Sequence, residues 1–177
     1  MRAALIAFLV ASSGAFAESA AGIEWKAPQS WKVEPARPMR AATYRIPAAR
    51  GDVEDAELGV FHFGSGQGGS VDANLQRWIS QFEQPDGKPS QQVAKVTKEK
   101  NGNLPTTVID LAGTYLASMG GPMAPTREKK PNYRLLGAIV EAPGGAVFFK
   151  MTGPDKTVAA ARPAFQKMLK SIKATGK

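Results

Sequence analysis

The residues with the most chemical potential in this chain lie around a glycine-rich turn. Gly64-x-Gly66-x-x-Gly69 follows a strand-like run and opens a helix-like one. Glycines allow close approach of backbone to phosphate, and a helix start attracts anions. The context is not that of a dinucleotide unit. Two strand-like runs come earlier, the segment after the helix is short and polar, and Asp86 sits in a Pro-Asp-Gly turn. The spacing therefore supports a flexible turn first, simple anion affinity second and nucleotide binding last. Gly66, Gly68, Gly69 and Ser70 are candidate binding residues, with Arg77 and Trp78 on the following helix.

Other chemistry is sparse. The sequence has no cysteine, which excludes a disulfide framework, a thiolate metal site and a thiol nucleophile. It has one histidine, His62, so no multi-histidine metal site can form within one chain. No Ser/Asp partner for His62 is identifiable by spacing, and its place between Phe61 and Phe63 reads as a strand position. Met119 and Met123 bracket Gly-Gly-Pro, but two thioethers without a third ligand read as packing residues. Arg50-Gly51-Asp52 spells an adhesion tripeptide that is also ordinary turn chemistry. Asp52, Glu54, Asp55 and Glu57 precede a strand without EF-hand spacing, so no metal and no cofactor is expected. Trp25-x-x-Pro28-x-x-Trp31, Trp78, Phe82, Tyr115 and Tyr133 suit a core, a pocket or an interface.

The formal charge is +8, but Lys and Arg are spread along the chain, which argues against a nucleic-acid partner. The densest basic group is Arg127, Lys129, Lys130 and Arg134, interrupted by Glu128 and Pro131. An anionic membrane surface or an acidic protein fits the excess charge better. Residues 1–17 read as a secretory leader: Arg2, an apolar run from Ala3 to Ala11, then Ala15-Phe16-Ala17 before Glu18. The expected location is periplasmic or secreted. No later stretch is long and apolar enough to span a bilayer.

The elements that must position these residues form one α+β domain over 18–177. Strands are expected at Ile23–Lys26, Ala41–Ile46, Ala56–Phe63, Thr106–Leu116, Tyr133–Ala142 and Ala146–Met151, with a polar edge strand over Gln91–Lys98. Asn101-Gly102 and Pro143-Gly144-Gly145 are hairpin turns. Ser70 caps a helix whose apolar face carries Val71, Leu75, Trp78, Ile79 and Phe82. A second helix starts near Thr157, with Val158, Ala161, Phe165, Met168, Leu169 and Ile172 on one face and Pro163 expected to kink it or restart it. A loop is expected from Ala117 to Asn132, long enough to suggest function or mobility. Hairpin-joined strands with two amphipathic helices describe an antiparallel sheet flanked by two main helices.

Trp25-x-x-Pro-x-x-Trp31, Met39-Arg40-x-Ala-x-Tyr44, Asn74-x-x-Arg77-Trp78, Gly113-Thr-Tyr115, Phe148-Phe149-Lys150-x-Thr152-Gly153-Pro154 and Phe165-x-x-Met-Leu-x-Ser171 resemble a family of uncharacterised exported bacterial proteins. The layout also resembles the Mog/PsbP-like fold, an α/β/α sandwich around an antiparallel sheet. That resemblance implies accessory, non-enzymatic roles on membrane-associated complexes and carries over no catalytic motif. The expectation is a binding module whose contact surface is the Gly64–Ser70 turn and the Ala117–Asn132 loop, with Arg127, Lys129 and Lys130 supplying charge. The alternative is a small-molecule binder or hydrolase with a pocket near His62, Arg77 and Trp78.

Overall fold

A computed structural model describes residues 17–119 and 127–175. In chain order its strands are β1 (Ala17–Ala20), β2 (Ile23–Lys26), β3 (Lys32–Val33), β4 (Ala42–Ile46), β5 (Ala56–His62), β6 (Phe82–Glu83), β7 (Lys95–Asn101), β8 (Leu104–Ser118), β9 (Arg127–Ala142), β10 (Gly145–Pro154) and β11 (Lys173–Ala174). Helix α1 (Val71–Ile79) lies between β5 and β6, and α2 (Asp155–Lys170) between β10 and β11. Every described strand pair is antiparallel, so the chain is α+β. One sheet runs β3-β4-β5-β10-β9-β8-β6, with β7 also on β8, and a small sheet runs β1-β2-β11.

Strand alternation divides the apolar residues between two pleat faces. Leu58 and Val60 on β5, Leu136 and Ala138 on β9, and Phe149 and Met151 on β10 pack with Val158, Phe165 and Leu169 of α2. Trp25 and Trp31 join them: the Trp25 indole donates to the Tyr44 hydroxyl (2.8 Å) and meets Phe149 edge-on. On the opposite parity, Ile109 and Leu111 of β8, Leu135 and Ile139 of β9 and Phe148 of β10 pack with Leu75, Trp78 and Ile79 of α1.

Helix ends follow local chemistry. Ser70 accepts from the Ala73 N–H and caps α1, as its position before an apolar-periodic run predicts. The run ends sooner than expected, and Phe82 belongs to β6. Helix α2 has no cap of its own at Pro154; Asp52 supplies one from a distant turn. Its carboxylate accepts from the Thr157 N–H (2.9 Å) and hydroxyl (2.6 Å), while Thr157 accepts from Ala49 N–H (2.9 Å). A negative group also suits the positive end of the helix dipole. Pro163 does not break α2, which continues through it as one helix. Asp110 of β8 accepts from Arg134 of β9 and Arg162 of α2, and Arg134 also pairs with Asp155 at 2.6 Å. The two chain ends meet: β11 pairs with β2, and the Lys26 N–H donates to the Ser171 hydroxyl.

The largest departure from expectation is the segment Ala117–Asn132. Ala117 and Ser118 end β8, and Arg127 to Asn132 begin β9; residues 120–126, with Met123, lie outside the described residues. The charged residues and Pro131 that read as a loop are the solvent-facing start of β9 in one long β8–β9 ladder. Its register shifts between Gly113 and Tyr115, where Pro131 and Asn132 stand opposite Thr114 and Asn132 takes φ +56°. Two residues against one make a bulge, and Pro131 has no N–H to offer the ladder.

Two outcomes follow. Asp52→Ala removes the borrowed cap and lowers unfolding free energy by about 1–2 kcal/mol in urea titration. Gly137→Ala places a Cβ 2.6 Å from the Trp78 ring and costs about 1–3 kcal/mol of overpacking in the same assay.

Candidate functional site

Lys150 lies mid-strand in the run Val147-Phe148-Phe149-Lys150-Met151, between buried neighbours. Its cross-strand partners are Gly59 on β5 and Gly137 on β9, so neither adjacent strand puts a side chain beside it. Both glycines are required by close contacts. A Cβ at Gly59 would lie 2.8 Å from the Phe61 ring, and Gly137 is covered by Trp78. At nine residues, α1 is about 13 Å long and covers only part of this face. The uncovered part is a cleft of about 240 Å³ over Lys150.

Arg40, Glu57, Phe61, Tyr115, Lys130, Tyr133 and Thr152 surround the lysine. Glu57 accepts from Arg37 (3.0 Å) and Arg40 (2.6 Å), and the Arg40 guanidinium also lies over the Phe61 ring. Tyr115 and Tyr133 stack at 6.0 Å, with Lys150 over the first ring and Lys130 over the second. Lys130 pairs with Glu54 at 3.0 Å, and the Tyr133 hydroxyl donates to the same carboxylate. The bulge at Pro131-Asn132 lets Lys130 and Tyr133 share the cleft face. In an unbroken strand, residues three apart would point to opposite sides.

Lys150 donates to the Gln81 side-chain oxygen, just beyond the end of α1. No carboxylate of the described residues pairs with it. Burial, with help from the Arg40 charge, pushes its ammonium group down to about 8. Burial also raises the Tyr115 hydroxyl, and Tyr133 likewise. The chemistry available is hydrogen-bond donation to an acceptor from a partly desolvated cation and a phenol. A larger groove of about 630 Å³ lies between the Lys26–Ser30 turn and α2, with Lys167 and Met168 on its helical side.

The residues expected from sequence fall in three places. Gly66, Gly68 and Gly69 all have positive φ in the turn before α1, and Gly68 packs against the rings of Phe63 and Phe148. Asn74 ties that turn down by donating to the Gly68 and Ser70 carbonyls, and Arg77 donates to Asn74 at 3.0 Å. Trp78 is buried on Gly137. His62 Nδ1 faces the Ala146 carbonyl at 3.2 Å. None of the clefts described here is lined by His62, Arg77 or Trp78. In the basic group, Lys129 pairs with exposed Glu83 at 2.6 Å, Lys130 lines the cleft, and Arg127 is exposed at the hairpin. Asp52 of the Arg-Gly-Asp tripeptide is engaged as the α2 cap. Among the described residues, no three His, Asp or Glu gather to hold a metal, and no helix is long and apolar enough to cross a membrane.

Sequence reasoning missed Lys150, Arg40 and Glu57 as a site. A lysine inside an otherwise buried strand, opposite two glycines, was the available signal.

No family model matches the chain, and no curated protein matches it. Among solved structures, it is similar to the cyanobacterial PsbP protein CyanoP from Synechocystis sp. PCC 6803, at 11% identity and TM-score 0.51 over 90% of each chain. It is also similar to a Pseudomonas aeruginosa protein of unknown function, at 12% identity and TM-score 0.46 over 84% of this chain and 88% of that one. The fold is therefore PsbP-like.

The Lys150 environment has a consequence for stability. The unfolded chain keeps the ordinary lysine value of 10.5, while the folded chain releases the proton near 8. Between these values only the unfolded state holds the proton, so stability rises with pH from about 8 to about 10.5. Chemical denaturation across that range should show the rise in the native sequence. Lys150→Met should flatten it and be the more stable protein at pH 7.

Proposed function

We propose that this chain is an exported, non-catalytic accessory protein that binds a partner in the cell envelope through the open part of its large sheet. The observation that carries the reading is the cleft over Lys150. It presents donors and aromatic rings to solvent, the makings of a contact surface. The leader pattern at residues 1–17, with cleavage after Ala17, supports export to the periplasm or medium and a mature domain over 18–177. The PsbP-like fold, with α1 on one sheet face and α2 on the other in the manner of an α/β/α sandwich, suits an accessory role without fixing one.

A protein partner is favoured over a bare lipid surface. Binding to anionic lipid scales with unpaired basic residues clustered near the surface. Here Lys129 and Lys130 are matched by Glu83 and Glu54. Stacked tyrosines beside a shallow cleft are the composition of a protein contact.

The test uses the full chain in its own host, with a photo-reactive residue at Ala117 on the cleft rim or at Gln166 on α2. The expected result is mature protein beginning at Glu18 outside the cytoplasm and one discrete adduct from position 117 alone. Equal adducts from both positions, or retention of the chain in the cytoplasm, would overturn the proposal.

A further inference from the structure

The cleft over Lys150 is unbalanced in its hydrogen bonding. Lys150 has three N–H donors and a single partner, the neutral amide of Gln81. The Tyr115 hydroxyl makes no hydrogen bond among the described residues, although its ring is held by Phe82 and Tyr133. Glu57 is the one acid that lines the cleft, and both its oxygens are engaged by arginines. All the Asp and Glu residues of the chain lie within the described segments. No side chain of this protein therefore provides the missing counter-charge.

Charge and size narrow the ligand. Among the cations that line the cleft, Arg40 is matched by Glu57, which Arg37 also holds from outside the lining, and Lys130 is matched by Glu54, so Lys150 is the lining cation without a carboxylate. A monoanion answers that one unmatched charge. A volume of about 240 Å³ admits an acid group and a few carbons, not a nucleotide. The flat aromatic walls of Tyr115 and Phe61 suit a planar group.

We infer that the cleft is a receptor for one carboxylate group, held between Lys150 Nζ and the Tyr115 hydroxyl. This deepens the binding-protein reading, because it names what the contact surface recognises. The carboxylate comes either from an acidic residue of a protein partner or from a small free acid.

The test is amide NMR of the mature chain at constant ionic strength, titrated with acetate, with inorganic phosphate and with an end-blocked Ala-Glu-Ala peptide. Acetate should give saturable shifts at Phe149, Lys150 and Met151, and phosphate should bind more weakly. The acetate affinity should fall by about tenfold per pH unit above 8, as Lys150 loses its proton. Lys150→Met should lose the saturable shifts with the rest of the spectrum unchanged. Glu57→Gln should bind acetate several-fold more tightly at pH 6, where Lys150 keeps its proton even without the Glu57 charge that favours it, which tests the charge balance.

A peptide at least tenfold tighter than acetate assigns the acid to a protein partner, and equal affinities assign it to a small molecule. Both support the carboxylate site. Phosphate binding tighter than acetate, or shifts spread unsaturably over surface lysines, overturns it. Because acetate is a probe in its own right, the site can stand even if the cross-linking test finds no partner, and it can fall while that partner is found.

Discussion

The structure depends on one cross-strand rung, Gly59–Lys150–Gly137, at the middle of the large sheet. Two adjacent strands lack side chains at the level of a cation. On one side of the lysine the missing side chain admits the Trp78 ring and seats α1. On the other it admits the Phe61 ring and the Arg40 guanidinium. The space that remains is too narrow for a helix and too polar to close. α2 and the N-terminal tryptophans bury the opposite pleat face around Phe149 and Met151, so the neighbours of Lys150 anchor the strand while the lysine stands apart. The rung thus seats the short helix and leaves the cleft beside it.

Much of the fold was legible because the elements announce themselves locally. Ser70 before an apolar-periodic run, Asn101-Gly102 between β7 and β8, and Pro143-Gly144 between β9 and β10 all place their elements correctly. The short strands β1, β3 and β11 were not legible, since two to four residues are too few to carry a periodic signal. The long hairpin was half legible. Its outer half reads as a loop because Pro131 breaks the alternation and the bulge shifts side-chain parity by one.

The site was harder to read than the fold. Its residues come from β5, β8, β9 and β10 and from the segment before β4, and only pairing brings them together. Tyr115 and Tyr133 stood out as aromatics fit for a pocket. Arg40 and Lys150 appeared only inside family-like motifs. The basic cluster drew attention by density, yet Lys129, Lys130 and Arg134 are all paired, whereas Lys150, without a carboxylate, is isolated in sequence. Density of charge measures solvent exposure, while an unpaired half-buried charge is visible only once neighbours are known. The Arg-Gly-Asp tripeptide makes the same point, since its aspartate is spent on a helix more than one hundred positions away.

That long-range cap bears on how the chain acquires its structure. Helix α2 begins against Asp52, and β11 closes on β2, whose other neighbour is β1. The first and last segments of the domain are mutual prerequisites. Contacts so distant in sequence slow folding, because the intervening chain must be closed before they form. A nascent or threading chain that lacks its last twenty residues lacks both the helix that covers one sheet face and the strand that completes the small sheet. Such a chain leaves the Leu58, Val60 and Phe149 face of the large sheet bare, and its most distant contacts close only when α2 and β11 are present.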